Sequence, residues 1–163
     1  MRYLIGLTAA TLAGLGASDA VASDVASPLR GTWTLVAADK LLPGGAQARD
    51  YGDAPKGQLI IGDSGRYSLQ IFKTERARFA RDKNEGTAEE FASAVKGSST
   101  HYGTVTVDPK KELLTFTIEG SSFPNWEGTV QRREFTLEGD VLRYRVPARP
   151  DGSIPISIWR RTE

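Results

Sequence analysis

Apolar and polar residues alternate with a period of two along most of this chain. Eight such runs are separated by short segments rich in Gly, Pro, Asp and Ser. Because successive side chains of a β-strand point to opposite faces, each run predicts a strand with one buried face. The predicted strands cover residues 32–37, 57–62, 66–72, 102–107, 113–119, 129–137, 141–146 and 154–161.

The segment 74–98 departs from this alternation. Thr87 and Glu90 have the spacing of a capping box, in which each side chain bonds the backbone amide of the other residue. Apolar residues at helical spacing follow, namely Phe91, Ala94 and Val95. We therefore expect an all-β fold with one short helix near 88–97. Its eight antiparallel strands would run up and down and close into a barrel, because closure removes unpaired strand edges.

The N-terminus has the pattern of a secretory signal peptide. Arg2 provides a positive start, residues 4–17 are apolar or small, and Ala20-Val21-Ala22 fits a cleavage site. The apolar run is shorter than the roughly 20 residues of a membrane-spanning helix. We expect residues 1–22 to be removed and residues 23–163 to form one domain, periplasmic or secreted, with no membrane span in the mature chain.

Composition narrows the possible functions. The net charge of +1 is unlike the strongly basic surface of nucleic-acid-binding proteins, so we expect no nucleic-acid partner. The chain has no Cys and a single His, His101, which matches no metal-site spacing. We expect no metal and no cofactor. Sequence motifs of serine hydrolases, phosphate-binding loops and zinc proteases are also absent from the sequence.

Several segments resemble the lipocalin-like domains of bacteria and fungi. The matching segments are Gly31-Thr32-Trp33, residues 56–60, Tyr102-Gly103-Thr104, residues 124–133 and residues 135–142. The most specific is 124–133, with its Asn-Trp-x-Gly-Thr-x-Gln pattern. The resemblance implies an eight-stranded lipocalin-like barrel and adds little about ligand or activity. Eight strands in a closed barrel enclose a space able to hold one small ligand.

Two structural roles are expected from these segments. If Trp33 faces inward, Arg160 on the last strand is placed to stack on its ring near the closed end of the barrel, as a cation–π pair. A β-bulge would shift the register and give that place to Arg161. In the loop before residues 129–137, Asn125 is expected to cap backbone groups, while Trp126 gates the barrel mouth or covers the core.

Candidate ligand-binding residues are the aromatic and polar side chains that strand or loop position directs to the interior. They are Tyr67, Tyr102, Trp126, Gln131, Arg133 and Tyr144. A buried guanidinium needs a partner. Arg133 therefore either binds a carboxylate or another anion of the ligand bidentately, or joins a structural network with Glu119, Tyr102 or a backbone carbonyl.

We expect a non-enzymatic protein that binds a small, partly apolar molecule in the barrel. One alternative is an enzyme of the cyclase or isomerase type, in which a confined cavity folds a reactive substrate. Its weak acid/base candidates are His101, Tyr102 and Glu119. A second alternative is a protein-interaction module that presents Phe123 and Trp126 as an apolar surface.

Overall fold

A computed structural model describes residues 27–163. The predicted signal peptide, residues 1–22, lies outside the described residues. The elements in chain order are β1 (Gly31–Leu41), β2 (Gln47–Arg49), β3 (Lys56–Ile61), β4 (Arg66–Phe72), α1 (Ala88–Lys96), β5 (Ser98–Asp108), β6 (Leu113–Ser121), β7 (Val130–Glu138), β8 (Val141–Arg145) and β9 (Ile154–Arg161). Short 3-10 turns occupy Ser27–Leu29 and Pro124–Trp126.

One antiparallel sheet curls into a closed barrel. Strand β1 pairs with β3, each later strand pairs with the next, and β9 returns to pair with β1. Eight strands thus form the wall, which confirms the predicted all-β barrel with one helix. The short strand β2 is an addition that pairs only with the last three residues of β1. Its side chains are exposed or half-buried, so it carries no strong alternation and was not predicted.

The alternation seen in the sequence corresponds to an apolar inner face. In β4 the inward residues are Tyr67, Leu69 and Ile71, and in β6 they are Leu114, Phe116 and Ile118, all buried. Burying one such side chain away from water stabilises the folded state by roughly 1.5–3 kcal/mol. Packing of these inner faces therefore holds together a domain that has no disulfide.

Helix α1 begins with the predicted capping box. The amide of Glu90 donates to Oγ1 of Thr87, and the amide of Thr87 donates to Oε2 of Glu90. The helix has no buried residue. Phe91 packs edge-on against Phe79 of the preceding loop, with ring centroids 5.3 Å apart. The helix is thus supported by its cap and its own loop more than by the core.

Trp33 lies at the closed end of the barrel, where Arg161 covers its ring. The Cζ of Arg161 is 4.1 Å from the indole centroid. The indole Nε1 donates to the carbonyl of Leu29 at 2.9 Å. Arg161 also donates to the carbonyls of Pro28, at 2.7 Å, and Arg30. A fully buried indole, a guanidinium and the first 3-10 turn together close this end.

The prediction that Arg160 stacks on Trp33 is wrong. Strand β9 pairs Trp159 with Leu142 of β8 and with Leu35 of β1, both of which face inward. The inward face at this end therefore carries Trp159 and Arg161, while Arg160 is exposed. The prediction of Arg160 also places Ile158, which shares its strand face, in the interior. The pairing of β1 with β9 shifts register between Leu35 and Ala37. This is the kind of β-bulge that was expected to place Arg161, instead of Arg160, on the ring of Trp33.

Candidate functional site

The half of the barrel above this closed end encloses a cavity of about 350 Å³. This is near the lower limit of ligand pockets, which span roughly 300–1,000 Å³. Its apolar lining includes Ala38, Leu69, Ile71, Val146, Pro155 and Ile156, and its aromatic and polar lining includes Tyr51, Ser99, His101, Trp126, Gln131, Arg133, Tyr144 and Ser157. A mostly apolar wall with a few convergent polar groups suits a small organic molecule.

Arg133 is the central polar residue of this cavity. Strand β7 directs it inward, and its side chain is only 4% exposed. Its Nη2 donates to Oε1 of Gln131 at 2.8 Å and contacts Nε2 of His101 at 3.3 Å. The guanidinium also lies over two rings, with Cζ 4.2 Å from the centroid of Phe116 and 5.1 Å from that of Tyr144. Gln131 and Arg133 thus line the cavity, as strand alternation predicts.

The neighbours of His101 define its protonation state. A guanidinium can only donate hydrogen bonds, so Nε2 of His101 accepts from Arg133 and carries no proton. The proton then sits on Nδ1, which lies 2.7 Å from the hydroxyl of Tyr67. Burial, together with the positive charge of Arg133, lowers the pKa of His101 from 6.5 to about 3. The imidazole is therefore neutral at physiological pH.

Tyr67 stands behind His101 and does not line the cavity. Its ring packs edge-on against Phe116 at 4.8 Å, and burial raises the pKa of its hydroxyl. The structure therefore places Tyr67 as a support for the imidazole ring. Its predicted role as a direct ligand contact does not fit this position.

Arg133 has no counter-ion among residues 27–163. None of the ion pairs in this part of the chain includes Arg133. Its Nε is buried without a hydrogen-bond partner, as is the hydroxyl of Tyr144. Burying a charge without a partner is costly. The predicted structural network with Glu119, Tyr102 or a backbone carbonyl does not form.

Tyr102 and Glu119 lie on the outer wall of the barrel. Tyr102 is 50% exposed, and Glu119 forms an ion pair with Arg66. Adjacent strand residues face opposite sides, so the inward position of His101 turns Tyr102 outward. The prediction that Tyr102 binds ligand is therefore wrong, and the three weak acid/base candidates of the enzyme alternative do not meet in one cavity.

The loop between β6 and β7 brings Trp126 to the cavity. Its ring meets that of His101 edge-on, with centroids 6.1 Å apart. The expected capping role of Asn125 is wrong, because its side chain is exposed and makes no hydrogen bond within the described residues. The loop is held instead by Thr129, whose hydroxyl donates to the carbonyl of Trp126 at 2.6 Å, and by Oγ of Ser121, which accepts from the amide of Phe123 at 3.1 Å.

Charged residues at the cavity mouth were not predicted from the sequence. Arg149, in the loop between β8 and β9, donates to both carboxylate oxygens of Asp50, at 3.2 and 2.5 Å. Lys40 lies 3.4 Å from the same carboxylate. Burial raises the pKa of Asp50, but hydrogen bonding and the charge of Arg149 outweigh it and leave the pKa below its usual value. Asp50 and Arg149 are 99 residues apart, in loops, so no periodicity connects them.

A second carboxylate of the cavity lining, Asp39, is fully buried. It accepts from Nε2 of Gln47 at 2.6 Å and from Nη1 of Arg49 at 3.1 Å. Both partners come from β2. This short strand, which has no clear pattern in the sequence, therefore neutralises the Asp39 carboxylate. Both acidic residues of the cavity lining are thus already paired with cations of this chain.

Within residues 27–163, no cluster of three or more acidic or histidine side chains has the geometry to hold a metal ion. In the same part of the chain, no helix has the length and apolar character needed to cross a bilayer.

The fold and cavity define the class of small barrels with an enclosed binding space. The model of the lipocalin-like domain family matches residues 30–162, and the chain belongs to that family. A search of curated proteins found no match.

Three solved structures are similar to this chain at low identity. The first, the REP1-NXSQ fatty acid transporter, is 14% identical, with 85% of this chain and 98% of that chain covered and a TM-score of 0.40. Two mutants of the fluorescent protein UnaG also match. One is 12% identical, with 83% and 97% covered and a TM-score of 0.37. The other is 15% identical, with 84% and 98% covered and a TM-score of 0.39.

Proposed function

We propose that this protein binds one small, partly apolar molecule inside its barrel and carries out no reaction on it. The observation that supports this most is the cavity of about 350 Å³ above the Trp33–Arg161 closure. Well-packed protein interiors leave few voids larger than a water molecule. A space of this size in a barrel otherwise filled by buried side chains is therefore a specific feature of the fold.

The lining of the cavity favours a molecule with a polar end and an apolar body. Hydrogen bonds across the barrel interior link three polar groups, Gln131 and Arg133 of β7 and His101 of β5. Aliphatic side chains such as Ile71 and Val146 line other parts of the cavity. One group of polar contacts fixes the orientation of a ligand, and the apolar contacts supply affinity by excluding water.

The arrangement of acid/base groups favours binding over catalysis. Of the three candidates, only His101 faces the cavity, and its pKa of about 3 makes it a weak base near neutral pH. Tyr102 and Glu119 are on the opposite side of the wall. The residues of the cavity thus provide orientation and charge, with no matched acid and base around one reacting atom.

Cavity binding is tested with Nile red, an uncharged dye whose fluorescence rises in apolar surroundings. We expect saturable binding of one dye per protein. Ala38→Phe places a ring in the cavity and should weaken binding at least tenfold. Val36→Phe is the matched control, since Val36 lies two residues away on the outer face and is 47% exposed. Binding that is unsaturable, or equal in both variants, would contradict the proposal.

We also propose that the protein is exported and that cleavage after Ala22 releases the mature chain. This rests on the Arg2 start, the apolar run and the Ala20-Val21-Ala22 site of the sequence. Intact-mass measurement of the protein from its native host should give a chain that starts at Ser23. A full-length chain that retains Met1 and stays in the cytoplasmic fraction would contradict export.

A further inference from the structure

We propose that Arg133 and Tyr144 form a subsite for a single carboxylate at one end of the bound molecule. This inference rests on the proposed function and names the chemical class of its ligand. It comes from two groups in one cavity, a buried cation without a counter-ion and a buried hydroxyl without a hydrogen-bond partner.

The charges around the cavity call for one anion. Arg133 is 4% exposed and has no carboxylate within ion-pair distance in residues 27–163. The acidic side chains of the cavity lining are already engaged, Asp39 by Arg49 and Asp50 by Arg149. No acidic group of the lining is free to neutralise Arg133. A ligand that brings its own negative charge would supply the missing partner.

The hydrogen bonds of Arg133 define how that anion is held. Nη2 has two N–H groups, and both are directed to partners, Oε1 of Gln131 and Nε2 of His101. A guanidinium can hold a carboxylate bidentately through Nε with Nη2 or through Nη1 with Nη2. Both pairs need Nη2, whose N–H groups are already engaged. Nε is fully buried without a partner, whereas Nη1 makes no hydrogen bond within the described residues and is not fully buried, so Nη1 is the donor that a ligand can reach. The bidentate contact expected from the sequence gives way to a contact through Nη1 with one oxygen.

Tyr144 provides the second donor. Its hydroxyl is buried without a partner, and its ring lies 5.1 Å from Cζ of Arg133. The residue lines the same cavity. A carboxylate has two oxygens that accept hydrogen bonds. One oxygen on Nη1 of Arg133 and the other on the hydroxyl of Tyr144 would give the guanidinium its counter-ion and the hydroxyl its partner. Hydrogen bonds to an ionised acceptor are the stronger kind.

The site favours a singly charged group over a doubly charged phosphate. Arg133 brings one positive charge, and its neighbour His101 is neutral because Nε2 serves as an acceptor. A dianion would leave one negative charge buried and unpaired. The aliphatic lining from Leu69 and Ile156 suits a hydrocarbon body. The ligand class is therefore a small apolar carboxylic acid bound as its anion.

The test compares two probes of equal chain length, decanoate and 1-decanol, by titration calorimetry at pH 7.5. We expect decanoate to bind at least about tenfold more tightly than the alcohol, because only decanoate can form a charge-assisted hydrogen bond with Arg133. Arg133→Met should remove this difference. Tyr144→Phe, which deletes only an unpartnered hydroxyl, should reduce it severalfold. Arg132→Met is the matched control, since Arg132 is exposed on the outer face of the same strand, and it should leave the difference intact.

Two results would overturn the inference in distinguishable ways. If decanol binds as tightly as decanoate to the native chain, or if Arg133→Met and Tyr144→Phe both keep the preference for decanoate, the carboxylate subsite is wrong while cavity binding stands. If decanoate, decanol and Nile red all fail to bind, the proposed function falls together with the subsite.

Discussion

Nη2 of Arg133 lies 3.3 Å from Nε2 of His101, and this contact assigns the imidazole its tautomer. Because arginine only donates, Nε2 must be the unprotonated nitrogen. The proton on Nδ1 then faces the hydroxyl of Tyr67 at 2.7 Å. Gln131, Arg133, His101 and Tyr67 thus form one chain of hydrogen bonds from the cavity into the core.

His101 should make the protein lose stability in mild acid. Its folded pKa, about 3, lies below the unfolded value near 6.5. Between these values only the unfolded chain binds the extra proton, so stability is lost as pH falls from 6.5 towards 3. Urea unfolding at pH 6.5 and pH 4.8 should differ by about 2 kcal/mol. Carboxylates whose pKa is lowered in the fold, such as Asp50 and Glu90, add a smaller loss near the lower pH. His101→Gln should therefore remove most of the difference in unfolding free energy between the two pH values.

The NMR titration of the His101 ring checks the same claim independently. The ring should keep the shifts of a neutral, Nδ1-protonated imidazole down to at least pH 4.5. A midpoint near 6.5 would show that the imidazole is accessible to solvent and not shielded by Arg133.

Arg133→Met tests whether the guanidinium is present for stability or for a ligand. A methionine of similar length keeps apolar packing against Phe116 and removes a buried charge without a counter-ion. Replacing buried charges by apolar groups is often neutral or stabilising. We expect the free energy of unfolding of the ligand-free protein to fall by no more than about 1 kcal/mol or to rise. A loss of about 3–5 kcal/mol would instead assign Arg133 a structural role.

The closed end predicts opposite results for two neighbouring arginines. Arg161→Met removes a cation–π contact with Trp33 and the hydrogen bonds to Pro28 and Arg30. We expect a loss of about 1–3 kcal/mol in urea unfolding. Arg160→Met should stay within about 0.5 kcal/mol, because Arg160 is exposed. Equal effects of both substitutions would refute the assigned closure.

The Arg149–Asp50 pair should restrain the loop at the cavity mouth. Arg149→Gln keeps a polar side chain of moderate length but removes the positive charge and the two hydrogen bonds that Arg149 donates to the carboxylate of Asp50. Hydrogen–deuterium exchange in residues 146–153 should become faster, while exchange in β4 and β5 stays the same. The control is Arg143→Gln on β8, since no ion pair of residues 27–163 includes Arg143. Unchanged exchange at the loop would show that the ion pair does not hold it.

The strands and the inward face of the wall could be predicted from the sequence because alternation is a local property. Strand alternation alone placed four polar or aromatic residues on the inner face, namely Tyr67, Gln131, Arg133 and Tyr144. In the structure Gln131 is half-buried and the other three are buried. Parity becomes ambiguous where both faces of a strand carry large apolar residues. Strand β9 is such a case, and for this reason the sequence predicted Arg160 at the closed end where the structure has Arg161.

The residues that were missed depend on contacts distant in the chain. Asp50 and Arg149 meet only because two loops converge at the mouth, and β2 reaches Asp39 through a pairing that has no pattern of its own. Tyr102 shows a different error. It follows His101 directly, and two successive residues of a regular strand face opposite sides, so strand alternation excludes Tyr102 from the interior when His101 faces inward.

Native mass spectrometry of the protein purified from its native host, without organic solvent, tests the central claim most directly. We predict one molecule of a small organic acid bound per chain, and its loss in Ala38→Phe but not in Val36→Phe. A chain that carries no adduct and whose mass is unchanged after incubation with decanoate would contradict the account.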